Sequence, residues 1–145
     1  NHAINNKKIT VFGGDQLRPN LHILDYCDFV ELLIEAESKK ICDQIFNVGY
    51  QNMSIKEISL VVKKVVQKKF PELGNIPITT TKSDDNRSYH INSEKVKKIL
   101  NFEPKRSVED AVNELCVCFK KKLFKDTFTN DFYFNVKRLK NIKAS

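Results

Sequence analysis

Apolar residues recur along this chain in two rhythms: short β-prone runs closed by glycine or proline, and longer stretches repeating near every fourth position. Lys8–Phe12 is β-prone and ends in Gly13-Gly14, which predicts a strand entering a turn. Arg18-Pro19 favours extended backbone, and a short strand is predicted through Leu21-His22-Ile23. Asp25 precedes Phe29, Val30, Leu33, Ile34 and Ala36, an i, i+4 stripe that predicts an amphipathic helix with Asp25 as its N-cap. Gln44–Val48 reads as a further strand, closed by Gly49. Ser54-Ile-Lys-Glu57 has the form of a capping box and opens a helix carrying Ile58, Val61, Val62, Val65 and Val66, ended by Pro71, with a turn at Gly74.

Ile76–Thr81 predicts another strand, which Pro77 makes an edge strand or one irregular at its start. Ser93 is placed to cap a short helix with Val96, Ile99 and Leu100. Ser107-Val-Glu-Asp110 opens the last long helix, with Ala111, Val112, Leu115, Cys116 and Phe119 on one face. Asp126–Asp131 reads as loop, and Phe132–Ile142 as an aromatic, then basic tail that needs a surface to dock on. The expected fold is a small mixed α/β unit with few short strands and about four helices. Residues 1–125 form its body and residues 126–145 a docking tail.

The chain's 145 residues suffice for one modest core. Hydrophobic content of 41% beside 30% charged residues reads as soluble and globular. No apolar run has the length of a membrane span, and the first residues lack a signal peptide's apolar centre. Cys27, Cys42, Cys116 and Cys118 lack ligand spacing, so the reduced, half-buried thiols of a cytoplasmic protein are expected and a metal site is not. The net charge of +7 raises the question of nucleic acid. The lysines scatter over helix faces, however, with Lys120-Lys121-Lys122 clustered near a helix end, so nucleic acid is not the expected partner.

Three patches carry the candidate chemistry: Gly13–Asp25, Phe46–Gly49 and Asp84–Tyr89. Four arginines stand among 25 basic residues, and Arg18 and Arg87 fall within these patches. A guanidinium is a planar fork that grips phosphate oxygens in pairs, as an ammonium does not. On the residues alone, Arg18 also has Asp15 and Asp25 as surface partners, and Arg87 has Asp84 and Asp85. Asn47 reads equally as a strand-end turn or as an amide that bonds a ligand, and Phe12 equally as core. Gly49 allows a close backbone approach or a turn with positive φ.

The order and wording of the patches resemble the C-terminal half of the extended short-chain dehydrogenase/reductases. More narrowly, they resemble the NAD-dependent nucleotide-sugar epimerase/dehydratases, from about Lys8 to Ala111 and weakly on to Ile142. The resemblance implies that Arg18, in Gln-x-Arg-x-x-x-His-x-x-Asp, and Arg87 contact a nucleotide diphosphate. Asn47 would meet the nucleotide or sugar, and Phe12 would flank the base. His22 and Asp25 match the same stretch with structural roles, and Lys95 extends the match into the helix after Arg87. Asn101 stands where the family has glycine, and asparagine tolerates the same left-handed cap.

The family's N-terminal Rossmann half, which binds NAD and carries the catalytic Tyr-x-x-x-Lys, has no counterpart in this sequence. Tyr133-Phe-Asn-Val-Lys137 repeats that spacing in the tail, where the resemblance suggests a docking segment around Asn135, Val136 and Leu139. No Gly-x-Gly-x-x-Gly is present, so no cofactor is expected in this chain. The expectation is therefore a substrate-holding portion, inactive alone, that binds an NDP-sugar, works with the missing Rossmann half and self-associates through uncovered apolar surface. The competing expectations are a stand-alone sugar-nucleotide or protein-interaction module and, more weakly, a basic nucleic-acid-binding domain.

Overall fold

Two strands far apart in sequence set the frame. β1 (Ile9–Phe12) pairs in parallel with β4 (Ile78–Thr81), from Ile9 opposite Ile78 to Phe12 opposite Thr81. A second ribbon pairs β2 (Leu17–Asn20) antiparallel with β3 (Gln51–Ser54), from Leu17 opposite Ser54 to Asn20 opposite Gln51. Around them lie α1 (His2–Asn5), α2 (Ile23–Glu35), α3 (Ser38–Ile41), α4 (Ile55–Lys69), α5 (Glu94–Leu100), α6 (Val108–Lys120) and α7 (Asn135–Asn141). The computed structural model describes residues 1–85 and 87–142. Asn86, in the third patch, and residues 143–145, at the end of the tail, lie outside the described residues.

The helix openings read at Ser54 and Ser107 form as predicted. Ser54 accepts from the Glu57 N–H while Glu57 accepts from that of Ser54, so the first turn of α4 starts with its donors satisfied. Ser107 and Asp110 repeat the arrangement at α6. Asn101 ends α5 at φ 52°, the left-handed conformation predicted there.

The core lies where α4 crosses α6 and backs onto β1. Val65, Val66, Phe70, Ile76, Cys116 and Ala3 are buried together, with Val61, Val62, Val112 and Phe119 packed around them. Ile76 is fully enclosed just before β4, and Pro77 accepts from the Ile9 N–H, which starts the parallel ladder. A smaller aromatic group joins Phe29 of α2 to Phe46 and Phe102 at centroid distances of 6.5 and 5.2 Å.

Several expectations are corrected. The strand placed at Leu21–Ile23 lies instead at Leu17–Asn20. Proline is tolerated in β2 because a two-stranded ribbon leaves one side of each strand unpaired. Asp25 is not the N-cap of α2: His22 is, its Nδ1 accepting from the Leu24 N–H at 3.2 Å. The Asp25 carboxylate is 2% exposed and accepts from the Lys105 N–H (3.1 Å), the Arg106 N–H (2.9 Å) and Arg106 Nη1 (2.6 Å). Capping is replaced by a long-range tether.

Gln44–Val48 forms no strand; one side chain meets its backbone at Ile45 and another holds the adjoining Gly49. Lys95 Nζ donates to the Ile45 carbonyl at 2.9 Å, and the Ser93 hydroxyl both accepts from the Gly49 N–H and donates to the Gly49 carbonyl. Ser93 is thus withdrawn from capping α5, and Asn92 Oδ1 takes the Glu94 N–H instead. The α2 stripe is split: Phe29 points inward, whereas Val30 and Ile34 lie on an outward face with Ile23 and Tyr26. Leu115 of α6 is likewise exposed.

All four cysteines are free, and Cys27 and Cys42 are exposed rather than half-buried. Among the described residues no helix is long and apolar enough to cross a membrane. α1, α3 and α7 were not predicted. α1 and the tail meet through Thr127 Oγ1, which donates to Asn1 Oδ1 at 2.8 Å, and through the edge-on pair of His2 with Phe128.

Replacing Asp25 by Ala strands two backbone donors and Arg106, and should cost about 3 kcal/mol of unfolding free energy in urea titrations. Ile76→Ala opens the central core and should cost about 3 kcal/mol, whereas Ile45→Ala, at an 82% exposed position, should stay within about 0.5 kcal/mol.

Candidate anion-binding site

Both arginine-bearing loops leave the same end of the same sheet. β1 runs out through Phe12 into Gly13-Gly14 and on to β2, which carries Arg18. β4 runs out through Thr81 into the segment that carries Asp85 and Arg87. Gly13 extends the ladder by one bond, its N–H donating to the Thr81 carbonyl at 2.9 Å. Parallel strands thereby deliver two loops to one carboxyl end, the usual place for a ligand in α/β proteins.

Side chains then lock the second loop to the β2–β3 ribbon. The Leu17 N–H donates to Ser88 Oγ at 2.8 Å, and the Tyr89 N–H to the Leu17 carbonyl at 3.0 Å. Farther on, the Asn52 side-chain amide exchanges two bonds of 3.0 Å with the backbone of Ile91, as a neighbouring strand would. Gly49 lets Ile91 approach: a Cβ at Gly49 would fall 2.5 Å from Ile91 Cδ1. Close approach, not positive φ, is what the glycine provides here.

Arg18 and Arg87 come together around a single carboxylate. Arg87 Nε and Nη2 reach Asp85 Oδ1 and Oδ2 at 2.7 and 3.0 Å, a two-pronged pair. Arg18 Nη2 stands 3.5 Å from Asp85 Oδ2. Arg18 Nη1 donates to the Leu17 and Arg87 carbonyls at 2.9 and 2.6 Å, which fixes the guanidinium plane. The Tyr89 ring lies beneath both, its centroid 5.3 Å from Arg18 Cζ and 5.9 Å from Arg87 Cζ.

Bonds from the Arg87 side chain, then from its backbone N–H, with the Arg18 charge behind them, hold the Asp85 carboxyl down to about 2. A carboxylate depressed in this way stabilises the fold above the ordinary carboxylate range. The pair therefore holds from there upward and opens only as the pH falls toward about 2.

Arg18 thus pairs with Asp85, not with Asp15 or Asp25, and Arg87 pairs with Asp85. Phe12 lies at the strand end feeding this site and is 61% exposed, whereas Asn47 is exposed near Gly49; neither makes a contact that ties it to the two guanidinium groups. His22 is buried beneath α2, its Nε2 3.4 Å from Glu114 Oε2, and Lys95 lies over the Phe46 ring. These two hold structure rather than line the arginine site. Tyr89 and Asn52 were missed as site-forming residues, although a tyrosine two positions after Arg87 was a readable sign of a guanidinium platform.

The Gly13-Gly14 turn does not fit a dinucleotide. The Gly13 N–H is in the ladder and the Gly14 N–H donates to Gln16 Oε1 at 2.6 Å, so the turn presents neither to a pyrophosphate. Tyr133 packs edge-on against Phe124, and Lys137 Nζ donates to the Thr129 carbonyl at 3.4 Å, in a tail whose Val136 and Leu139 are exposed. Among the described residues, no group of three His, Cys, Asp or Glu side chains is gathered to hold a metal.

Neither a protein-family model nor a curated protein matches this chain. Solved structures do. The UDP-glucose 4-epimerase of Thermotoga maritima, solved with UDP-glucose, superposes with a TM-score of 0.67 at 19% identity over 85% of this chain and 38% of its own. The L-threonine dehydrogenase of Phytophthora infestans gives 0.67 at 16% identity over 83% and 39%. The dTDP-glucose 4,6-dehydratase of Bacillus anthracis, solved with NAD, gives 0.64 at 24% identity over 83% and 36%. The chain spans about two fifths of the length of these structures. It has the fold of the C-terminal part of short-chain dehydrogenase/reductase epimerases, dehydratases and dehydrogenases.

Proposed function

We propose that this chain binds and positions the diphosphate of a nucleotide sugar for an NAD-dependent epimerase or dehydratase whose cofactor-binding and catalytic half is a separate part. The observation that carries this reading is the convergence of Arg18 and Arg87, 69 residues apart, on one anion at the carboxyl end of two parallel strands. Two forks, one on β2 and one on the segment bonded to it, match the two phosphates of such a ligand. Asn47 and Phe12 are assigned to the nucleoside side of the same substrate. Holding the diphosphate fixes where the sugar projects, and positioning of this kind is itself a share of catalysis.

The hydride chemistry is assigned to the dinucleotide-binding half; in keeping with that, both N–H groups of the Gly13-Gly14 turn are already bonded within the chain. The outward face of α2, with Ile23, Tyr26, Val30 and Ile34 exposed, is the surface assigned to that half; without it, the same face promotes self-association. The shared fold of the threonine dehydrogenase keeps a small amino-acid substrate as the second reading.

Calorimetric titration with UDP-, GDP- and CDP-sugars and with L-threonine distinguishes the two. At least one sugar nucleotide should bind, and Arg18→Ala and Arg87→Ala should each weaken it by about tenfold or more, as expected for charge-assisted bonds. Threonine binding without sugar-nucleotide binding overturns the first reading. Incubated with NAD and the same sugars, the chain alone should give no rise in NADH absorbance and no converted sugar; robust turnover would contradict the division of labour.

A further inference from the structure

We propose that Asp85 is a built-in occupant of the arginine site: its carboxylate holds the place of the diphosphate, and the ligand binds by displacing it. The inference rests on the reading of Arg18 and Arg87 given above and adds how that site is regulated.

A carboxylate and a phosphate present the same two-oxygen edge to a guanidinium. Asp85 uses both of its oxygens on Arg87, through Nε and Nη2, so the edge that would receive a phosphate is already filled. Its Oδ2 also faces Arg18 Nη2 at 3.5 Å, while Arg18 Nη1 is committed to the Leu17 and Arg87 carbonyls. The anion-facing sides of both forks therefore converge on Asp85. The backbone of Asp85 is held independently, its N–H donating to Ser83 Oγ and its carbonyl accepting from the same hydroxyl, each at 3.1 Å. With its side chain 43% exposed, the carboxylate can turn into water; it then gives up the Arg87 backbone N–H that Oδ1 accepts at 3.2 Å, while the two Ser83 bonds to the Asp85 backbone remain.

Charge decides which ligand makes that exchange worthwhile. Two guanidinium groups and one carboxylate leave a single positive charge, and expelling the carboxylate exposes two. A sugar-linked diphosphate brings one negative charge on each phosphate and neutralises both. A singly charged anion merely replaces one carboxylate by another and loses its freedom of motion in doing so. Asp85 thus selects doubly charged diphosphates over abundant monoanions.

The test is Asp85→Asn, which keeps the size and removes the charge, titrated with the same sugar nucleotides alone and in the Arg87→Ala background. Folding of every variant is checked by circular dichroism. Affinity should rise about fivefold in Asp85→Asn, the upper end for an exposed ion pair of good geometry, and the gain should vanish when Arg87 is also removed. An unchanged or weaker affinity in Asp85→Asn, with Arg87→Ala still impaired, shows that the carboxylate orients the fork rather than occupies it; the proposed function would survive and this inference would not. If neither the native chain nor Asp85→Asn binds any sugar nucleotide while both are folded, both readings fail. Binding by Asp85→Asn alone supports displacement most directly.

Discussion

The parallel pairing of β1 with β4 is the contact on which everything else hangs. Parallel strands cannot be joined by a tight turn, so the chain between them must travel out and back, and here it builds the β2–β3 ribbon, α2 and α4 on the way. The detour places α4 against the strands and sends both exits, at Phe12 and at Thr81, to one edge. Had the pairing been antiparallel, the loops with Arg18 and Arg87 would have left at opposite ends.

A second level of constraint comes from polar side chains acting as backbone. Asn52 pairs with Ile91, Ser93 with Gly49, Ser88 with Leu17 and Asp25 with residues 105–106, each bridging segments with no ladder between them. In a unit with two two-stranded sheets, such bonds do what additional strands would do in a larger sheet. Those of Ser88 and Asn52 tie residues 88 and 91 to the β2–β3 ribbon, beside the two guanidinium groups that share one anion.

How much of this was legible follows from range. Capping boxes at Ser54 and Ser107, the left-handed Asn101 and the β1 run are decided within four or five residues, and all were readable in the sequence. The failures sit where a distant partner overrode a local preference. Asp25 has every local reason to cap a helix and is instead drawn 80 residues away to Lys105, just as Ser93 is drawn from α5 to Gly49. Gln44–Val48 has strand composition but no neighbouring strand to pair with. The two arginines were legible as types in turn-rich patches, but their sharing of Asp85 and Tyr89 depends on the parallel register and could not be seen in spacing alone.

The contact between Gly49 and Ile91 limits what position 49 can hold. A Cβ there would stand 2.5 Å from Ile91 Cδ1 and 3.0 Å from its Cγ1, so any larger residue must first displace the Ile91 side chain. The two Asn52 bonds to the Ile91 backbone hold the main chain in place while that side chain moves. Bulk at position 49 is therefore a local packing cost, met by one isoleucine, before it is anything else.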